Sequence, residues 1–380
     1  MKERNEFVSE CYENNKTITF IEIPQGTKKI CNCAFQKCES LTTVVVPNSV
    51  EEIGNHAFSF CKSLKNICIP GSVKVIGEYA FEECDFSSID IPEGVQFIGE
   101  SAFFNCKNIH KIVIPKSITV LNNGAFYGCE SLESFMIQSC LKTFGSDIFL
   151  NCHKLTDIFL PNVIDIIGRH VLFGERILCG LYLPKTVKTL NNNSFQENIE
   201  NTLIIPNIIT KIGDYTFRQC KYLVYLNIPN NVNKIGSWAF CECSSLEKII
   251  IPSSVKEIGE SAFRECISLK SIILPDGINT IHNSTFAGCK LLSHITIPDS
   301  VTEIGDFVFS QCDSLIKINI PFNLTSLGNC AFFQCSSLNE VNIPSSLKKI
   351  GKSVFLGTRI NIESLPKEFQ NQDNQECNLY

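Results

Sequence analysis

Apolar positions fall in the same places every 22 or 23 residues along this chain. In Ser254–Pro275, SVKEIGESAFRECISLKSIILP, the segment L-x-x-I-x-I/L before the proline alternates apolar and polar residues. That period of two predicts a short strand with Ile272 and Leu274 facing inward. Pro275 ends the strand, because proline fixes its own φ and has no N–H to give to a ladder. Gly259 marks a second bend. Between them, E-S-A-F-R-E-C places Ala262 and Cys266 four residues apart with Phe263 between, a spacing that predicts a short helical turn with one buried face.

The same unit recurs through most of the chain. Its anchors are Pro24, Pro47, Pro70, Pro92, Pro115, Gln138, Pro161, Pro184, Pro206, Pro229, Pro252, Pro275, Pro298, Pro321 and Pro344. Phe stands eleven residues after the anchor in 14 of these 15 units, Leu172 being the exception, and Cys stands fourteen after it in 12 of 15. The unit reads P-x-x-V-x-x-I-G-x-x-A-F-x-x-C-x-S-L-x-x-I-x-I. A unit so short cannot bury its apolar residues alone, so its neighbours must stack on it and the fold must be a solenoid.

Units such as IPSSVKEIGESAFRECISLKSIILP and IPDSVTEIGDFVFSQCDSLIKINIP resemble the BspA-like leucine-rich repeat family, and the resemblance covers about residues 18–366. The expected fold is an α/β repeat: a leucine-rich repeat solenoid with short parallel strands on the concave face, and short strands and helical turns on the convex side. Residues 1–17 are expected to form a polar cap and 367–380 a polar tail, with an irregular junction near 161–206. There LFGERI (Leu172–Ile177) aligns with FLGTRI (Phe355–Ile360), as if a first array kept a remnant of its closing unit. The resemblance implies cell-surface association, adhesion and protein binding, and no catalysis.

Composition narrows the functional classes. The chain has 380 residues, 44% of them hydrophobic, and a formal charge of −6 with 33 basic and 39 acidic residues interspersed. No basic field invites a phosphate backbone, so no nucleic-acid partner is expected. Charges through the N-terminal MKERNEFVSECYENNK leave no apolar segment suited to an export signal. Twenty-one cysteines in a long chain without such a signal predict reduced thiols. Packing is the preferred reading of the cysteine column. Disulfides between stacked coils are opposed by parallel Cβ vectors, and zinc by the linear arrangement of the sulfurs. The six histidines occupy unrelated places in the unit, and no phosphate-binding loop or nucleophile motif occurs. No catalytic residue, metal or cofactor is expected.

Variation is informative where the repeat does not dictate residue type. Two residues before the anchor, on outward strand positions of the concave face, the lane includes Val113, Met136, Phe159, Tyr182, Ile204, Ile250 and Ile273, with Tyr225 two residues earlier on its own strand. These eight are the expected partner-binding residues for a protein or glycoprotein ligand. The C-terminal Cys377-Asn378-Leu379-Tyr380 places a cysteine at the prenylation position, so Cys377 is the expected lipidation site and the only expected link to a membrane. The reading is therefore a non-enzymatic protein-binding scaffold, cytoplasmic or peripheral at the plasma membrane. A cell-surface adhesin exported by an unconventional route and a purely structural spacer are the alternatives.

Overall fold

The computed structural model describes residues 6–7, 12–138, 141–159, 164–167, 171, 189–190, 194–195, 202–205 and 207–364. The chain divides into two compact units, Met1–Val187 and Lys188–Tyr380. Each is a stack of parallel-stranded coils. Most described coils contribute one strand just before the anchor, those ending at Pro70 and Pro92 being exceptions, and a two- to four-residue strand that starts three to five residues after it. These strands pair in parallel with their equivalents in neighbouring coils.

In the first unit the pre-anchor set includes Phe20–Glu22 with Thr43–Val45, and Lys111–Ile114, Ser134–Ile137 and Asp157–Phe159. The second set runs Lys29–Ile30, Glu52–Ile53, Val75–Ile76 and Phe97–Ile98. The second unit repeats the plan. Tyr225–Asn227, Lys248–Ile250, Ser271–Ile273 and His294–Thr296 pair in order on one side, and Thr280–Ile281, Glu303–Ile304, Ser326–Leu327 and Lys349–Ile350 on the other. Within the expected polar cap, residues 6–7 and 12–15 make contacts like those of a coil. Glu6 and Phe7 pair with Lys29 and Ile30, and Tyr12 stacks on Phe35 with centroids 5.5 Å apart.

Among the described residues the α component of the expected α/β class is almost absent. Among the described residues the only helical element is a single 3₁₀ turn, Ile362–Ser364. In the segment read as a helical turn, Ser261 (φ 54°) and Glu265 (φ 58°) are left-handed. Alternate N–H groups therefore leave the coil: Ser261, Phe263 and Glu265 donate to Asn283, Thr285 and Ala287 of the next coil at 2.7–2.9 Å, whereas Ala262, Arg264 and Cys266 close turns within their own. A helix would keep every donor for itself. Here the apolar spacing that mimics a helix face belongs to consecutive turns, each reversed by a left-handed residue.

Two columns fill the interior. In the second unit Phe195, Phe217, Phe240, Phe263, Phe286, Phe309, Phe332 and Phe355 stack with neighbouring centroids 5.1–5.7 Å apart. In the first unit Phe35, Phe58, Phe81, Phe103 and Phe126 do the same, and Phe135 meets both Phe126 and Phe149 edge-on. Burying such a ring contributes roughly 1.5–3 kcal/mol, so the columns are a major source of stability.

Gly259 shows why the bend needs glycine. A Cβ there would lie 2.4 Å from the backbone nitrogen of Ser237 in the preceding coil. Just outside this bend, Asn283 Oδ1 accepts from the N–H of Asp306, and Asp306 Oδ1 from that of Asn329, so a side-chain ladder satisfies donors that face no strand.

Candidate functional site

The cysteine column lies against the phenylalanine column, and its geometry decides what the sulfurs do. Cys266 Sγ donates to the carbonyl oxygen of Phe240, one coil back, at 3.1 Å. Cys61, Cys84, Cys106, Cys129, Cys152, Cys220, Cys243, Cys289, Cys312 and Cys335 repeat the contact at 2.9–3.4 Å. Each Phe carbonyl also accepts the backbone N–H of the cysteine in its own coil, as Phe240 does from Cys243 at 3.2 Å. The thiol is thus a small hydrophobe whose weak donor ties one coil to the last. Burial pushes several of these thiols up: Cys335 to about 12, and Cys84, Cys129, Cys266 and Cys312 well above the ordinary thiol range. A protonated, enclosed thiol is neither a nucleophile nor a metal ligand. Among the described residues no group of three or more His, Cys, Asp or Glu is placed to hold a metal ion. Cys330 departs from the reduced-thiol expectation, being disulfide-bonded.

The pre-anchor strands supply the accessible chemistry. Their central residues point inward and their flanking residues outward, the pattern in Tyr225–Asn227, Lys248–Ile250 and Ser271–Ile273 alike. Ile273 is 70% exposed, Ile250 44% and Tyr225 39%. The registers Tyr225↔Lys248↔Ser271 and Asn227↔Ile250 set the two isoleucines on adjoining strands, about 4.8 Å apart, with Tyr225 diagonal to Ile250. Exposed Val224 extends the patch. Thr296, paired with Ile273, and Asn227 bound it.

In the first unit Val113 and Met136 are register partners and half-buried. Phe159 and Ile204 stand on the strands Asp157–Phe159 and Thr202–Ile204. Tyr182 and Cys377 lie outside the described residues, as does most of the 161–206 stretch. The structure therefore brings Val113, Met136 and, by strand register, Phe159 together in one unit, and Tyr225, Ile250 and Ile273 in the other.

A second cluster, on the turn-bearing side of the second unit, escaped the sequence reading. Tyr215 and Trp238, both nine residues after their anchors, stack with centroids 6.1 Å apart. Arg218 lies 6.0 Å from each ring and Arg264 5.7 Å from Trp238. Glu242 pairs with Arg218 at 3.1 Å and accepts from Gln219 at 2.9 Å. Burial raises the Glu242 carboxyl, but the hydrogen bonds from Gln219 and Arg218 outweigh it and hold the group below the usual range. Spacings of 23 between the rings and 46 between the arginines were the signal available in the sequence.

The comparison with known families follows this geometry. The model described as the BspA type leucine rich repeat region matches in six copies, over residues 5–86, 74–202, 197–315 and 256–378. The chain belongs to the BspA-type leucine-rich repeat family. Among solved BspA-type and related folds, a leucine-rich repeat protein from Bacteroides ovatus is 30% identical, with 93% of this chain and 79% of that one covered and a TM-score of 0.53. A leucine rich cell surface protein from Faecalibacterium prausnitzii is 23% identical over 95% and 92%, TM-score 0.48. A leucine-rich repeat protein from Eubacterium ventriosum is 24% identical over 92% and 85%, TM-score 0.43. Among curated proteins, none matches this BspA-type chain in sequence. No helix among the described residues is long and apolar enough to cross a membrane.

Proposed function

We propose that this leucine-rich repeat protein is a non-enzymatic scaffold that holds a protein ligand on its pre-anchor strand face. The observation that carries this reading is the exposed stripe of Tyr225, Ile250 and Ile273, aligned by strand register and flanked by Val224. Interior positions explain themselves by packing. These side chains face solvent, and nothing in the repeat requires them to be apolar. Tyr225 supplies a rigid amphipathic anchor of the kind that dominates protein interfaces. Lys248, between Tyr225 and Ser271 in register, gives the stripe a cation that can fix a ligand's orientation. Catalysis has no part in this reading, which is supported by the burial of the thiols of the repeated cysteine column.

The test compares affinity capture and then purified binding for the wild-type chain and an Ile250→Ser/Ile273→Ser double variant. Serine at these exposed positions leaves the fold in place. Losing two apolar contacts is expected to weaken ligand binding by about 100-fold, from roughly 1.4 kcal/mol each. Unchanged affinity in a folded double variant overturns the assignment.

A further inference from the structure

The turn-bearing side of the second unit contains a notch that packing does not account for. Nine residues after successive anchors, the lane reads Tyr215, Trp238, Ser261, Ser284 and Phe307. Rings cover one another at its start. Two serines then interrupt the run, and Phe307, half-exposed, has no ring partner among the described residues. The gap is a pocket of about 80 Å³ whose lining includes Arg264, Glu265, Ser284, Phe307, Ser310 and Gln311.

Most of the polar side chains around it have no protein partner among the described residues. Ser310 is only 4% exposed, yet its hydroxyl has no hydrogen-bond partner among the described residues and borders the pocket. That hydroxyl, with no protein partner to give up, can bond a ligand seated in the pocket. Arg264 lies over Trp238 without an ion pair among the described residues, so its guanidinium edge is available. The Glu265 carboxylate reaches over the next coil because position 288 is glycine: a Cβ on Gly288 would fall 2.8–2.9 Å from the carboxylate oxygens. Gln311 donates its amide to Gln334 at 3.4 Å, leaving its carbonyl oxygen as an acceptor.

This set selects its ligand by exclusion and by fit. Glu265 repels an anion and Arg264 repels a cation. A ring whose hydroxyls each donate and accept can meet Arg264, Glu265, Gln311 and both serines at once, while its C–H face covers Phe307. We propose that the notch binds a pyranose, a sugar at the end of a glycan, with one edge and one face seated and the rest in solvent. The site is separate from the strand face and does not depend on it.

Trp238, the chain's single tryptophan, lies beneath Arg264 and reports on it. The full-length protein is titrated with methyl glycosides of common hexoses and N-acetylhexosamines, and in parallel with glycine and sodium phosphate. Binding is read by tryptophan fluorescence and by saturation-transfer NMR on the glycosides. At least one glycoside is expected to saturate in the millimolar range, in line with roughly −0.3 kcal/mol per ligand heavy atom. Phe307→Asn, which suits the left-handed backbone there (φ 57°), is expected to lose binding. Phe307→Tyr is expected to keep it, and Ser310→Ala to weaken it about tenfold. The proposal fails if neither readout detects any glycoside, if glycine or phosphate alone binds, or if folded Phe307→Asn or Ser310→Ala binds like wild type. If Phe307→Asn melts early, Ser310→Ala and Phe307→Tyr decide.

Discussion

A buried cysteine in this chain acts as a hydrogen-bond donor that carries no charge. Cys266 reaches the Phe240 carbonyl and has no solvent-exposed surface. Cys266→Ala removes that donor and leaves a small void, and is expected to lower stability by about 2 kcal/mol in urea titration. The column also makes stability depend on alkaline pH. A folded thiol whose pKa is raised keeps its proton after the unfolded thiol, near 8.5, has lost it. Its contribution is therefore complete below about pH 8.5 and falls as pH rises toward the folded value, which is about 12 for Cys335. Well above pH 8.5 each buried thiol is expected to subtract about 1.4 kcal/mol per pH unit. The urea midpoint should drop steeply between pH 8 and 10, and Cys266→Ala should flatten that slope by one thiol's share.

At the scale of the element, the bend and turns of the coil are fixed by how close successive coils run. Gly259→Ala would push a Cβ to 2.4 Å from the Ser237 nitrogen, whereas a Cβ on Gly71 meets nothing within 4 Å. Thermal unfolding is expected to show Gly259→Ala destabilised by about 3 kcal/mol. Gly71→Ala should be neutral, or stabilised by about 0.5 kcal/mol through its unfolded state. The strands were legible in the sequence because their alternation is a period of two, and the inward Ile272 and Leu274 stand where it puts them. The turns were not. Left-handed residues at this site include Phe60, Tyr79, Trp238 and Glu265, types that carry no turn signature. Their conformation is imposed by bonds to the next coil, a tertiary cause that local propensity does not record.

For the whole molecule, the repeat explains both what the sequence disclosed and what it withheld. A period of 22 or 23 residues, with Phe in one column in 14 of 15 units, reveals a stacked fold, since no shorter-range structure needs it. Surface chemistry is less legible. The lane two before the anchor was found because it varies within a fixed frame, yet the Arg264–Phe307 notch needs three successive coils to be superposed before Ser284 becomes a gap between rings. Stacks of this kind open from their ends. Within the second unit, hydrogen exchange is therefore expected to be slowest at interior amides such as Ile249 and Ile272, and at least about tenfold faster at Ile350. Equal protection along the unit would mean that its coils unfold only as one.

The thiol links all run in one direction, from a coil back to its predecessor, which raises the question of what becomes of the final carbonyl. Thr358 occupies the cysteine place of the last coil, and its hydroxyl bonds to Phe355 of that same coil at 2.7 Å. The chain thereby closes its own ladder. A thiol of any further coil stacked on Phe355 would find that acceptor already engaged, so the one-way series of links does not continue past it.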